Sequence, residues 1–253
     1  MISPPIWSPR VRRDPVADMS ELSFPPLMQG LALSGAEEPF ALACQKAVLG
    51  CDAGLIVHNL APDRLQAALV FAPEVALQQA MTMLPVCAIA LQNALGALAP
   101  PEVAVHLQWD GGLRINGGRC GRLRAAASTT TPSEVPDWLV IGLDLPLWPP
   151  SDGETGDRPE DTALYAEGCA DVDAGHLLES WARHALHWIN RWEDEGTEPV
   201  HSTWRGLAQD IGGTITHAGR TGTFLGVDED FGLLLRDETT THLIPLITLL
   251  ETP

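Results

Sequence analysis

Glycines and arginines are concentrated in residues 117–122, which read Gly-Gly-Arg-Cys-Gly-Arg. Glycines let backbone N–H groups converge on an anion, and guanidinium groups add positive charge, so this composition suits a phosphate or a carboxylate. In that interpretation Arg119 or Arg122 donates to the anion. The sequence leaves open a second interpretation, a β-turn followed by a strand with outward arginines. Cys120 lies between the arginines, but no partner base is evident, and we interpret it as a packing residue.

Other polar residues lie at the ends of apolar stretches that are predicted to be strands. Gln108, Trp109 and Asp110 close an alternating stretch, and Asp144 comes two residues after Gly142 in an apolar run. Ligands often approach the ends of strands, so Asp144 is a candidate to bind a hydroxyl group or a metal ion. A cap or turn carboxylate is the competing interpretation.

Patterns typical of metal sites are incomplete. His184 and His187 are three residues apart, a spacing compatible with a metal ion on a helix, but no nearby cysteine or carboxylate clearly completes a set. The acidic residues of 152–161 lack the ligand spacing of a calcium loop and predict a solvated loop. We therefore expect no metal site built from protein side chains.

Charge and composition exclude several classes of protein. The 253 residues include 15 Lys and Arg against 33 Asp and Glu, a formal net charge of -18. Nucleic-acid binding and docking to an anionic membrane both need many cations, so we expect neither. Lys46 is the single lysine, which leaves one candidate for any mechanism that needs a lysine. The five cysteines are widely spaced with no Cys-x-x-Cys motif, which argues against a disulfide framework or a zinc ribbon.

The start of the chain and its apolar stretches predict a soluble cytoplasmic protein. Residues 1–15 contain no apolar segment of the kind found in signal peptides. We interpret the apolar stretches elsewhere as too short or too interrupted to cross a bilayer. An apolar content of 45% is enough to bury a substantial core.

Hydrophobic periodicity and turn residues predict helices and strands in alternation, followed by an all-β end. Residues 1–30 predict an extended arm, and residues 149–162 predict a surface loop. Helices are predicted over 38–50, 174–191 and 74–98, the last with a kink or a split at Pro85. Strands are predicted over 55–58, 67–71, 103–109, 113–116, 122–127 and 138–145. From Gly212 onward, four or five short strands between turns predict a small barrel.

The order strand, turn, strand, turn, strand over residues 105–123, followed by a strand at 140–144, resembles the biotin/lipoate protein ligase family. Trp109 matches the tryptophan of that family's Lys-Trp-Pro-Asn-Asp stretch. Residues 192–204 and the hairpin after them are similar to the approach to the SH3-like cap of bacterial biotin protein ligases. The likeness covers about residues 30–250 and lies mostly in topology and spacing.

This resemblance implies an α+β fold in which the three predicted helices pack on a mixed β-sheet. A small all-β SH3-like barrel follows. The corresponding divisions are an N-terminal arm (1–30), a ligase-like domain (31–207) and an SH3-like domain (208–253). Members of the family activate a carboxylate with ATP and magnesium, hold the acyl-adenylate and transfer the acyl group to a lysine of a carrier domain.

The sequence departs from the family pattern where that chemistry is carried out. Gln108 stands in place of the first lysine of the motif, and Arg119 in place of the lysine on the third strand. Arginine keeps the charge, but its planar, forked group is not equivalent to an ammonium. A Gly-Arg-rich loop is expected between residues 58 and 74, where Arg64 is the only basic residue.

Two hypotheses follow for the function. In the first, the protein is a ligase-like enzyme that binds a carboxylic acyl ligand (biotin, lipoate or octanoate) and ATP. Arg119 steadies the carboxylate or phosphate and Trp109 forms an apolar wall; the full set of binding residues is Gln108, Trp109, Asp110, Gly121, Gly142 and Asp144. In the second, the fold binds an acyl ligand or a biotinyl or lipoyl carrier domain without catalysis, because the lysines and the loop are lost. The charge of -18 disfavours docking to an acidic carrier domain.

Overall fold

A computed structural model describes residues 22–149 and 160–252, and its largest element is a mixed sheet of seven strands. In chain order the strands are β1 (Gln29–Ala32), β2 (Leu55–Ala61), β3 (Arg64–Phe71), β4 (Val105–Leu107), β5 (Gly112–Ile115), β6 (Gly118–Ala127) and β7 (Leu139–Pro146). Their order in space is β1-β2-β3-β7-β6-β5-β4. The pair β1 and β2 is parallel and the other pairs are antiparallel, which confirms the predicted mixed sheet. The predicted arm up to residue 21 and most of the predicted loop, residues 150–159, lie outside the described residues.

Five α-helices accompany the sheet in the described residues: α1 (Pro39–Val48), α2 (Leu77–Ala80), α3 (Met83–Leu98), α4 (Ala174–Glu195) and α5 (Glu198–Leu207). The helix α1 begins where expected, because the Glu38 carboxylate accepts a hydrogen bond from the Ala41 N–H and Pro39 occupies the first turn. The predicted count of three helices is too low for two reasons: α5 was not predicted, and the predicted helix over 74–98 is two helices, α2 and α3.

The predicted helix over residues 74–98 is split, but not at the proline. The interruption falls at Met81 and Thr82, and Pro85 lies in the first turn of α3. A proline there removes an N–H that has no partner within the helix, so it begins this helix instead of breaking it. Residues 77–98 are together long and apolar enough to cross a bilayer, contrary to the sequence-based expectation, but most of the stretch is buried inside the protein.

Strand alternation gives the large sheet two different faces. On the α3 face, Leu69 and Ile141 lie in the core that α3 and α4 complete. On the α1 face, Phe40 of α1 packs with Ala68 and Val140 in a second, smaller cluster. Residues two apart on one strand share a face, which decides where each polar side chain of the sheet is directed.

The C-terminal residues form a separate antiparallel sheet of four strands, β8 (Thr214–His217), β9 (Arg220–Val227), β10 (Leu233–Arg236) and β11 (Thr241–Ile244). Their order is β11-β10-β9-β8, so β8 and β11 are the edges. This agrees with the predicted small all-β domain. A 3-10 turn over Leu246–Leu249 follows and returns the chain to the large sheet.

Trp109 joins the two sheets. Its indole is buried, its Nε1–H donates to the Phe231 carbonyl oxygen at 2.7 Å, and its ring meets the His217 ring edge-on at 4.8 Å between centroids. The Phe231 ring in turn packs on Trp204 of α5. A backbone hydrogen bond of 2.7 Å from the Gln209 N–H to the Leu107 oxygen completes the joint.

Replacing Trp109 tests this joint. Trp109→Phe keeps an aromatic ring but leaves the buried Phe231 carbonyl without its donor, so we expect the free energy of unfolding to fall by about 1–3 kcal/mol. Urea denaturation measures the change. The control Trp148→Phe alters an indole that is half exposed and should change the value by less than about 0.5 kcal/mol. Equal effects of the two substitutions would show that the hydrogen bond does not hold the joint.

Candidate functional site

A row of polar side chains crosses the α1 face of the large sheet. Strand register places Asn59, Gln66, Asp144 and Arg122 side by side on β2, β3, β7 and β6. One row nearer to α1, the register pairs Arg124 with Gly142. The alternation Arg122-x-Arg124 therefore directs both guanidinium groups to the same face as Asp144.

Three arginines of this face, Arg64, Arg122 and Arg124, form an arginine cluster whose charges are all paired. Arg64 Nε lies 2.8 Å from Asp144 Oδ1. Arg124 pairs with Glu38, the residue that caps α1, and with Glu251 at 3.5 Å. Arg122 Nη2 lies 2.9 Å from Glu251 Oε1. Carboxylates from three separate parts of the chain thus converge on these cations.

Arg124 is the most buried member of the arginine cluster, with 20% of its side chain exposed against 57% for Arg122. Its guanidinium lies over the Phe40 ring, 4.1 Å from the centroid. A stacked cation with two carboxylate partners is held in one orientation. Arg122, by contrast, exposes more than half of its side chain to solvent and can meet a ligand.

Burial dominates the titration of Asp144. Removal of its carboxyl from water raises its pKa, although Arg64, Arg124 and Arg122 all act in the opposite direction. The charged form is therefore held at a cost, with Arg64 as its nearest cation. A polar group of a ligand that donates to this carboxylate would lower that cost.

Two glycines make room for this arrangement. A Cβ on Gly142 would lie 2.5 Å from the Phe40 ring and 3.2 Å from Arg124 Cγ, so the arginine crosses β7 only because this position has no side chain. Gly121 has a φ of +85°, and a Cβ there would lie 2.3 Å from the Asp144 carbonyl oxygen. The segment 117–122 is a turn and the start of β6, as the second interpretation of its composition predicted.

The structure divides the predicted site residues between two places. Gly121, Gly142 and Asp144 come together beside the arginine cluster. Gln108 and Trp109 lie at the joint between the sheets: Gln108 Nε2 donates to Asp210 Oδ2 at 3.1 Å, and Trp109 packs on the α3 side.

Of the two remaining predicted residues, Asp110 lies in the turn between β4 and β5 and Arg119 lies on β6. Asp110 accepts from the Gly112 N–H at 3.1 Å, which is the turn-carboxylate arrangement. Arg119 is half exposed, with Nη2 3.4 Å from Glu160 Oε2 and Nη1 3.8 Å from Asp161 Oδ1. Sequence reasoning missed Arg124, Glu38 and Glu251. The alternation of residues in β6 could have indicated Arg124, whereas no local pattern marks Glu251.

The segment expected to carry a Gly-Arg-rich loop is a tight hairpin. Ala61 pairs with Arg64, so only Pro62 and Asp63 join β2 to β3. The Asp63 carbonyl oxygen accepts from the N–H groups of Leu147 at 2.7 Å and Trp148 at 3.2 Å. Pro62 and Asp63 supply no cation, and Arg64, the first residue of β3, is paired with Asp144. In the parts of the chain that the structure describes, no three His, Cys, Asp or Glu residues lie close enough to hold a metal ion.

Comparison with known proteins supports the fold and identifies a family. Residues 24–206 match the family described as Biotin/lipoate A/B protein ligase family, and residues 211–252 match a Domain of unknown function (DUF4444). A curated Biotin--[acetyl-CoA-carboxylase] ligase of Paracoccus denitrificans is 28% identical over 167 residues, which are 63% of this chain and 68% of that protein.

Two solved structures illustrate the range of the likeness. A biotin protein ligase-like protein of unknown function from Silicibacter sp. TM1040 is 68% identical, with a TM-score of 0.87 over 91% of this chain and 100% of that one. Biotin protein ligase from Aquifex aeolicus, in complex with biotin and ATP, is 12% identical, with a TM-score of 0.67 over 85% of this chain and 95% of that one. At 12% identity, the likeness to the Aquifex aeolicus structure shows a shared fold.

The close approach at Gly121 predicts a specific cost. Gly121→Ala and Gly117→Ala both place alanine at a positive φ, +85° and +90°, which costs about 1 kcal/mol. Only Gly121→Ala also puts a Cβ against a backbone oxygen. A Cβ on Gly117 would have no heavy atom within 4 Å beyond its chain neighbours. We expect Gly121→Ala to lower the free energy of unfolding by about 1–3 kcal/mol more than Gly117→Ala. Equal losses in chemical denaturation would contradict the close approach.

The raised pKa of Asp144 predicts the sign of a pH effect. Between the unfolded pKa of about 3.9 and the raised folded pKa, the folded chain binds more protons, so this group's contribution to stability falls as pH rises. The stability of wild type minus that of Asp144→Asn should therefore decrease from pH 4 toward neutrality, as followed by urea denaturation. A difference that grows with pH would mean that the ion pair with Arg64 outweighs burial.

Proposed function

Because this chain belongs to the biotin/lipoate A/B protein ligase family, we propose that it binds a carboxylic acyl compound of the biotin, lipoate or octanoate class without adenylating it. The observation that carries the proposal is the two-residue hairpin between β2 and β3, where the resemblance places the phosphate-binding loop. The ligand site proposed is the α1 face of the sheet around the arginine cluster.

The hairpin argues against the ATP-dependent step. Attack of a carboxylate on ATP develops negative charge on the phosphate, and each well-placed donor to such a charge is worth about 3–4 kcal/mol. Pro62 has no N–H, and Asp63 adds a negative charge instead of a positive one. The turn is also tied to the chain after β7 through the Asp63 carbonyl oxygen. Its short length leaves no segment that could close over a nucleotide.

The arginine cluster supports binding of a carboxylate. Arg122 and Arg124 already hold one carboxylate between them, so their spacing suits this group. Asp144, whose side chain is partly exposed beside them, can accept from a ligand donor.

An apolar surface for the acyl part adjoins the same strand. Trp148, two residues beyond β7, is 51% exposed and meets the Tyr165 ring edge-on at 5.2 Å. It takes the place of Trp109 as the proposed apolar wall, because Trp109 is buried at the joint between the sheets. Acyl ligands combine one charged end with a long apolar body, and this pairing of an arginine cluster with an exposed indole matches that chemistry.

One observation favours a second candidate, ATP-dependent ligation of the acyl group to a lysine of a biotinyl or lipoyl carrier domain. Arg119 keeps a positive charge where the resemblance places the lysine of the third strand, and half of its side chain is exposed. In this candidate Arg119 steadies the carboxylate or phosphate and magnesium arrives with the nucleotide. Gln108 and Asp110 then keep their predicted roles at the neighbouring turn.

Calorimetry followed by a pyrophosphate assay distinguishes the two candidates. We expect biotin, lipoate or octanoate to bind, ATP to give no binding heat, and no pyrophosphate to be released. Arg122→Ala should weaken binding of the acid about tenfold or more, as expected for loss of a charge-assisted hydrogen bond. Arg220→Ala, which removes an arginine from the smaller sheet, is the matched control.

Two outcomes would overturn the proposal. Absence of binding by all three acids would exclude an acyl site. Acid-dependent release of pyrophosphate that is abolished in Arg119→Ala would establish the ligase candidate instead.

A further inference from the structure

Leu250 and Glu251 contact the edge of β6 through a single parallel β-bridge. Leu250 pairs in parallel with Ala125, and the Glu251 N–H donates to the Ala125 carbonyl oxygen at 2.8 Å. This edge is available because β5 pairs with β6 only as far as Arg122. The C-terminal segment therefore continues the sheet where β5 stops.

The β-bridge of Leu250 brings the side chain of the next residue, Glu251, onto the α1 face. One carboxylate oxygen lies 2.9 Å from Arg122 Nη2 and the other lies 3.5 Å from Arg124 Nη1. Both oxygens are used, one on each guanidinium, and a third of the side chain remains exposed. This is the set of contacts that the carboxylate of a free ligand would make with the same arginines.

Apart from the two ion pairs of Glu251, the segment has few contacts with the large sheet. One backbone hydrogen bond and the partly buried Leu250 attach it to the large sheet. The four-stranded sheet has a separate attachment through Trp109 and Leu107. Residues 250–252 can consequently leave β6 while the C-terminal domain stays in place, as short elements with few buried contacts open most easily.

We propose that Glu251 is an internal competitor for the carboxylate site. It occupies Arg122 and Arg124, and a carboxylic ligand must displace it to reach them. The inference rests on the proposed function in one respect, since the displacing ligand is taken to be an acyl carboxylate. If the site is free in only a fraction of the molecules, the apparent Kd equals the intrinsic Kd divided by that fraction. The segment therefore lowers the apparent affinity for the ligand.

Glu251→Gln tests the competition with two probes. The variant keeps the backbone hydrogen bond and the length of the side chain but removes the charge. Acetate, a carboxylate with almost no acyl chain, probes the arginines alone; octanoate probes the acyl site. Titrations are followed by the NMR signals of the Arg122 and Arg124 side chains. Glu229→Gln makes the same change of charge in an exposed turn of the smaller sheet and is the matched control.

We expect acetate to bind Glu251→Gln about tenfold or more tightly than it binds wild type or Glu229→Gln. The acetate comparison decides the inference: equal affinity in all three proteins, or no binding to any, overturns it. The octanoate titration separately decides the proposed function. Tighter binding of acetate without binding of octanoate would support the competitor and reject the acyl site.

Discussion

The partly buried guanidinium of Arg124 sets conditions that several distant elements must satisfy together. A cation with one fifth of its surface exposed requires counter-charges, and it takes them from Glu38 at the start of α1 and from Glu251. Its stem crosses β7 where Gly142 leaves space, and its charged plane rests on Phe40. The beginning of a helix, a glycine in a strand and the path of the C-terminal segment are therefore linked through one side chain.

The hairpin between β2 and β3 shows that the family fold does not depend on the length of the connection between these strands. The two strands are held by their pairing and by the apolar residues that they contribute to the two clusters, and neither depends on the length of the connection between them. A short connection therefore costs the sheet nothing, and it leaves two residues where the resemblance places the phosphate-binding loop. The retained family fold is compatible with a ligand site that works without ATP.

Much of the architecture could be predicted from local patterns. Period-two alternation located the strands of the hairpins around Asp110 and Gly117, and the turn-rich end of the chain predicted a separate all-β domain. The resemblance carried by Trp109 and residues 140–144 led to the family. The missing helix α5 and the position of the break before α3 are set by packing, which residue propensity does not report.

The candidate site was harder to predict because strand register and long-range contacts build it. Arg122 and Arg124 share a face with Asp144 only once β6 and β7 are aligned. Glu251 reaches them from the far end of the sequence, 127 positions from Arg124. Trp109 illustrates the same difficulty in another way, since a motif match does not say whether an indole faces a ligand or another domain.

The β-bridge between Leu250 and β6 also bears on solubility. An unpaired strand edge exposes backbone donors and acceptors that can recruit a strand from a neighbouring molecule, which is a common route to aggregation. Part of the β6 edge would be such a template if these two residues did not cover it. The short segment whose Glu251 carboxylate neutralises two arginines thus also protects the sheet against self-association through its backbone.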